Sequence, residues 1–147
     1  MGSPHNGWHT LLSFDDSIAD FDRIPSWGIF DQSCFDAGKL STSQGDFFEC
    51  GNFASDLPDS VRDWDGWSQD NKAELERGWI LTGATIEELG QKIKEFDPLM
   101  DVDTLKATFE EYQGFAAAGK DARFDRAAET MVPLDNGPYY AVSIYPG

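Results

Sequence analysis

The sequence predicts an α+β domain: a small mixed sheet with two to three helices behind a long irregular first half. Three observations carry this expectation. The second half runs strand, helix, helix, strand in pattern. The first half scatters aromatic residues among carboxylates, Gly and Ser with no sustained period. The chain is 40% hydrophobic and 14% aromatic over 147 residues, too apolar for a disordered polymer and enough for one core.

Residues 1–19 read as a lead, either an extension or a tag-containing stretch, and 20–147 as a single domain. Pro25 introduces a short strand, Ser26–Phe30. Residues 31–68 hold many Gly, Ser and Asp with isolated aromatics, so they are expected to be mostly irregular. A loop of that length packs on something or contributes to a site. Ser68 is expected to cap a short helix through Arg77, with Gly78 ending it. Trp79–Thr82 is a strand candidate.

Thr85-Ile86-Glu87-Glu88 has the form of a capping box. The helix it opens puts Ile86, Leu89, Ile93 and Phe96 on one face and is closed by Asp97-Pro98. Asp101 caps the next helix. There Val102, Leu105, Phe109, Tyr112 and Ala116 form a stripe, while Lys106, Glu110 and Glu111 face out. Gly119 ends that helix. The final strand, Tyr139–Tyr145, alternates little in hydropathy, which predicts cover on both faces.

Charge narrows the partners. Eleven Lys and Arg stand against 27 Asp and Glu, a net charge of −16. Such a surface repels nucleic-acid phosphates and anionic lipid heads, and suits a cationic partner or a domain of opposite sign. No run of about 18 apolar residues occurs, so no membrane span is expected. The first residues lack a basic region followed by an apolar stretch, so no signal peptide is expected and the chain as it stands reads as cytoplasmic.

Four constellations are candidates for chemistry. Asp63, Asp65 and Glu74 fall at positions 1, 3 and 12 of a calcium loop. However, Trp67 at position 5 cannot ligate and Ser68 stands where the turn needs Gly, so an EF-hand is rejected. His5 and His9 have a four-residue spacing that suits zinc on a helix, but Pro4 and Gly7 argue against a helix there. Asp15, Asp16, Asp20 and Asp22 would do acid–base work only if burial split their pKa values; a solvated loop is the simpler reading. Cys34 and Cys50 read as two buried thiols, with one disulfide left open because spacing does not decide it. No Gly-x-Ser-x-Gly, Gly-x-Gly-x-x-Gly or phosphate-loop motif is present. The sequence thus assigns no catalytic, cofactor-binding or metal residue within this chain.

Two stretches carry a resemblance. One is Gly119-Lys120-Asp121-Ala122-Arg123-Phe124-Asp125-Arg126 followed by Pro138-Tyr139-Tyr140-Ala141 and Tyr145-Pro146-Gly147. The other is Arg23-Ile24-Pro25-Ser26-Trp27-Gly28-Ile29-Phe30-Asp31. Together they resemble the capping domain of the flavoprotein family that includes soluble fumarate reductases and 3-ketosteroid dehydrogenases. The resemblance spans roughly residues 20–147, with 36–78 adding little.

The resemblance implies a fold of the flavoprotein capping type and a parent that is an FAD-dependent oxidoreductase acting on a carbon–carbon bond. FAD would sit on a Rossmann-like domain split around the cap. The partners would be that flavin-binding domain and a small organic substrate, and this fragment would be inactive and flavin-free alone. Gly119 would supply a left-handed stop, Phe124 an anchor in the core, and Arg126 a pairing with a carboxylate or with backbone carbonyls. Fumarate reductases carry a proton-donating Arg soon after the Phe-Asp that matches Phe30-Asp31. That position falls near Phe35, and no Arg lies between Asp31 and Val61, which points to other organic substrates. The alternative is a stand-alone acidic binding module with the cap fold and no redox activity.

Overall fold

The computed structural model describes residues 14–17, 19–21, 24–40 and 67–145. Near the start, β1 (Phe14–Asp15) and β2 (Asp20–Phe21) form a small antiparallel ladder, with the Phe14 and Phe21 rings edge to face at 5.2 Å. The main sheet has three strands: β3 (Ser26–Asp31), β4 (Ile80–Gly83) and β5 (Tyr139–Ile144). Their spatial order is β3-β5-β4 and both pairings are antiparallel. The last strand therefore sits in the middle, paired with β3 from Ser26↔Ile144 to Asp31↔Tyr139.

Both faces of β5 are packed, which explains its missing alternation. Ala141 is fully buried against Leu89 and Ile93 on one face, where Trp27, Ile29 and Leu81 join it. On the other face Tyr140 stacks between Phe30 (5.5 Å, 16°) and Phe35 (4.5 Å, 18°), next to Ile80. The domain is thus three layers: a helix pair, the sheet, and a layer of short helices and loop ends.

The helix pair is α3 (Ile86–Phe96) and α4 (Val102–Ala118). Thr85 Oγ1 accepts the Glu88 amide at 3.1 Å, and Glu88 reaches back to the Ala84 amide at 3.0 Å, one residue further than a standard capping box. Asp101 caps α4 through the Thr104 amide at 2.9 Å, and Gly119 stops it at φ 63°. Two glycines set the spacing of these layers. A Cβ on Gly83 would lie 2.5 Å from the Leu89 backbone nitrogen, and one on Gly90 would lie 3.1 Å from Val102 and Leu105. The first lets α3 settle onto β4, the second lets α4 settle onto α3.

Several expectations are corrected. Within 31–68, α1 (Gln32–Asp36) follows β3 directly, capped by the Asp31 carboxylate through the Cys34 amide at 3.2 Å, while 41–66 lie outside the described residues. Ser68 caps no helix. The short helix α2 (Lys72–Glu76) begins after Asn71, which holds a left-handed conformation at φ 60°. Phe96, expected in the core, is 67% exposed: as the last residue of α3 it stands at the side of an open groove with Trp27, Leu81 and Val142 of the sheet. Phe124 is 75% exposed rather than an anchor, with the Arg123 guanidinium over its ring. Cys34 is an exposed free thiol rather than a buried one, since α1 turns Phe35 inward and Cys34 outward.

The α4 stripe has the expected phase but only Val102 is fully buried. Phe109 is half-buried, edge to face with Tyr139 at 5.3 Å. Seventeen residues make a helix roughly 25 Å long, whereas three strands span only about 10 Å between outer axes. So narrow a sheet cannot cover the whole stripe.

Candidate functional site

Only some of the residues singled out in sequence fall among the described residues. His5, His9, Asp22, Cys50, Asp63 and Asp65 lie outside the described residues. Asp15 accepts the amide and hydroxyl of Ser17, at 2.8 and 2.6 Å, as part of a local turn. Glu74 is fully buried and accepts the Ser68 amide at 2.8 Å together with the Ser68 hydroxyl. Burial by itself raises the Glu74 carboxyl, but these two donors outweigh it and hold the group below its ordinary range. Glu74 therefore locks the approach to α2. Among the described residues, no three His, Cys, Asp or Glu side chains are placed to hold a metal ion.

Two buried polar residues organise the layer opposite the helix pair. Asn71 is fully buried with every side-chain bonding position in use. Its Oδ1 accepts the Leu40 amide (3.0 Å) and the Trp67 indole N–H (2.8 Å), and its Nδ2 donates to the Phe35 and Gly38 carbonyls (2.9 and 2.8 Å). Asp31 caps α1 with one oxygen and with the other accepts the Asn136 amide at 3.1 Å, tying the approach of β5 to the end of β3. Sequence offered no sign of the Asn71 arrangement, because its partners are separated from it by up to 36 positions.

Two of the surface grooves among the described residues carry aromatic side chains in their walls. The first, about 370 Å³, lies where β3 and β4 begin and β5 ends, and is lined by Pro25, Trp27, Trp79, Phe96 and Tyr145 among others. Trp79, Phe96 and Tyr145 are 45%, 67% and 61% exposed. Trp27 is fixed through its indole N–H to Asp97 at 3.1 Å, and the Arg77 guanidinium lies 5.1 Å from the Trp79 ring. The second groove, about 350 Å³, runs beside α4 and is lined by Ile29, Leu105, Phe109, Tyr112, Leu134 and Arg126. Arg126 holds the Thr130 carbonyl at 3.1 Å and lies over the Tyr112 ring, consistent with a carbonyl-holding role. The Tyr112 hydroxyl bonds the Val132 carbonyl, and the Gln113 amide both donates to and accepts from the Leu134 backbone. Both grooves are walled mainly by apolar and aromatic side chains.

Among the described residues, the two strand-to-helix junctions do not suit the pyrophosphate of a dinucleotide. That group needs free amides at a helix N-terminus after a Gly-rich strand-to-helix turn. Between β3 and α1 the Asp31 carboxylate already fills that place. Between β4 and α3 the Glu88 carboxylate and the Thr85 hydroxyl take the amides. The Ala84 amide first, and then Lys92, keep Glu88 ionised by lowering its carboxyl. Anionic oxygens thus meet any phosphate at both junctions, and the residues described here do not fit the anchoring of FAD.

No sequence-family model matches the chain. It is 35% identical over 81 residues to the probable fumarate reductase Ifc3 of Shewanella frigidimarina (strain NCIMB 400), covering 52% of this chain and 13% of that protein. It is 31% identical over 80 residues to the NADH:fumarate oxidoreductase of Klebsiella pneumoniae (strain 342), covering 52% of this chain and 8% of that protein. In fold it matches a flavocytochrome c3 fumarate reductase solved in an open conformation, with a TM-score of 0.50 and 26% identity over 82% of this chain and 15% of that one. The chain is therefore similar to a segment of fumarate-reductase-like flavoproteins, and spans only a small part of the length of the relatives it matches.

Proposed function

We propose that residues 20–147 are the substrate-capping domain of an FAD-dependent oxidoreductase acting on a carbon–carbon bond of a small organic substrate, and that this piece is inactive alone. The likeness to a small share of a flavocytochrome fumarate reductase, across 82% of this chain, is the observation that carries the reading. It is supported by helix starts closed to a pyrophosphate, so that FAD belongs to a flanking flavin-binding domain. The chain's own contribution is to cover the substrate and exclude water. Fumarate is the less suitable substrate: Phe35, near the place where the resemblance sets a proton-donating Arg, is buried and stacked on Tyr140.

The test is spectroscopic. The 147-residue chain should purify without the visible absorbance of flavin, while the same segment expressed with its flanking reading frame should carry FAD. A stoichiometric flavin band in the isolated chain, or a flanking frame with no flavin-binding sequence, would overturn the reading.

A further inference from the structure

We propose that the furrow between β3 and α4 binds an extended segment of a separate partner protein, about five residues long, with a basic side chain at one end and an acidic one at the other. The proposal does not depend on the function proposed above. Among the helices and strands, α3 lies against β4 and β5, while α4 lies chiefly against α3. The helix-side face of β3 is therefore covered least, and Trp27 and Ile29, which share that face, are both only partly buried. The groove of Ile29, Phe109 and Arg126 has a neighbour of about 310 Å³ that holds Trp27, Asp97, Leu99 and Asp101. Leu105 and Thr108 line both, so the two form one furrow.

Backbone and charge together define the occupant. β3 is an outer strand, and among the described residues it pairs only with β5, so its other edge can take up a further strand. Charge is divided along the furrow: the Asp97 and Asp101 carboxylates stand at one end and the Arg126 guanidinium at the other. Lys94 near Asp101 offsets part of the negative end. The Thr108 and Tyr112 hydroxyls already donate to backbone carbonyls. Arg126 gives the Thr130 carbonyl one of the five donors of a guanidinium, which leaves it to select an acidic group. From Asp101 to Tyr112, over whose ring Arg126 lies, α4 rises roughly 16 Å. A strand rising roughly 3.3 Å per residue crosses that distance in about five residues. Its side chains face the furrow at every second position, so a basic, an apolar and an acidic residue fit at i, i+2 and i+4.

Peptide titration tests the proposal. Two acetylated, amidated peptides, Thr-Lys-Thr-Val-Thr-Glu-Thr and its reverse Thr-Glu-Thr-Val-Thr-Lys-Thr, are added to the isotope-labelled 147-residue chain and followed by amide NMR shifts. At least one should saturate with a Kd below about 1 mM, with shifts centred on 26–31 and 101–112. Arg126→Glu should weaken it at least about tenfold, and exchanging the peptide's Glu for Lys should restore binding to that variant. Arg126→Gln, whose spectrum elsewhere reports an intact fold, should weaken it as well. Absence of saturable shifts from both peptides, or binding that Arg126→Gln leaves unchanged, overturns the proposal. So does equal binding of a peptide with Lys at both ends to the parent chain, which would show attraction to net charge alone. The same shifts with butyrate assign the site to small carboxylates, and the same shifts on raising protein concentration without peptide assign it to a second copy; either overturns it. Loss of binding when the segment is expressed with its flanking reading frame shows that the flanking chain fills the furrow, and overturns it too.

Discussion

The Trp67 indole N–H donates to the Asn71 side-chain oxygen at 2.8 Å, and the same oxygen receives the Leu40 amide. One buried side chain thus fastens the two residues that flank 41–66. Asn71→Ala removes all four of its hydrogen bonds and puts a β-carbon at φ 60° without a polar side chain to compensate. Each buried partner left unbonded costs roughly 1–3 kcal/mol. We expect a loss of at least about 3 kcal/mol in urea unfolding. Asn71→Gly should lose about 1 kcal/mol less, since it sheds the same bonds but tolerates the dihedral. A cost below about 1 kcal/mol for Asn71→Ala would show that the clamp carries little.

Burial grades the helix pair. Leu89 is fully buried, Phe109 half-buried and Glu110 exposed. Leu89→Ala should cost about 2–5 kcal/mol. Phe109→Ala should cost less, about 1–2 kcal/mol, because much of its ring already meets water. Glu110→Ala should fall within about 0.5 kcal/mol of the parent. An order with Phe109 above Leu89 would place the core on the wrong helix.

Glycine substitutions should divide by sign. Gly83→Ala drives a methyl into the Leu89 backbone and should destabilise by about 1–3 kcal/mol or more, because α3 must lift from the sheet. Gly114 lies inside α4 with nothing within 4 Å of its added Cβ. Gly114→Ala should therefore stabilise by about 0.5–1 kcal/mol through helix propensity. Thermal melts of both variants check this, and a stable Gly83→Ala would refute the close approach of α3 and β4.

Acid sensitivity should trace in part to Glu74. Its folded-state carboxyl lies below the ordinary 4.5, so its stabilisation is fully present above about pH 4.5 and is lost as pH falls through the lower folded value. Glu74→Gln removes that titration and leaves the other carboxylates in place. The difference in unfolding free energy between parent and variant should shrink steadily below about pH 4.5. A difference independent of pH down to pH 2 would rule the linkage out.

The sequence disclosed what is local. Thr85, Glu88, Asp101 and Gly119 act on amides or dihedrals within four residues of themselves, and each is found in its expected role. The lack of alternation in β5 also reported the cover on both its faces. What stayed hidden depends on distant partners. Glu74 takes up the Ser68 hydroxyl, so Ser68 is not a cap. The five-residue α1 has too few turns to show a period and is held by Asp31 and by Phe35 on Tyr140. Phe96 and Phe124 look like core residues by type alone, and only their tertiary surroundings leave them exposed. The aromatic groove was equally illegible, because its walls come from β3, β4, α3 and the end of β5.

The pairing of Ser26 with Ile144 has a mechanical corollary. Tension applied through the two chain connections would act across one rung of an antiparallel ladder, perpendicular to its strands. Such a load opens hydrogen bonds one at a time from the end, rather than shearing all six rungs together. Under strain the sheet would peel from Ser26 toward Asp31, and the last rung to part would be the one braced by the Asp31–Asn136 bond.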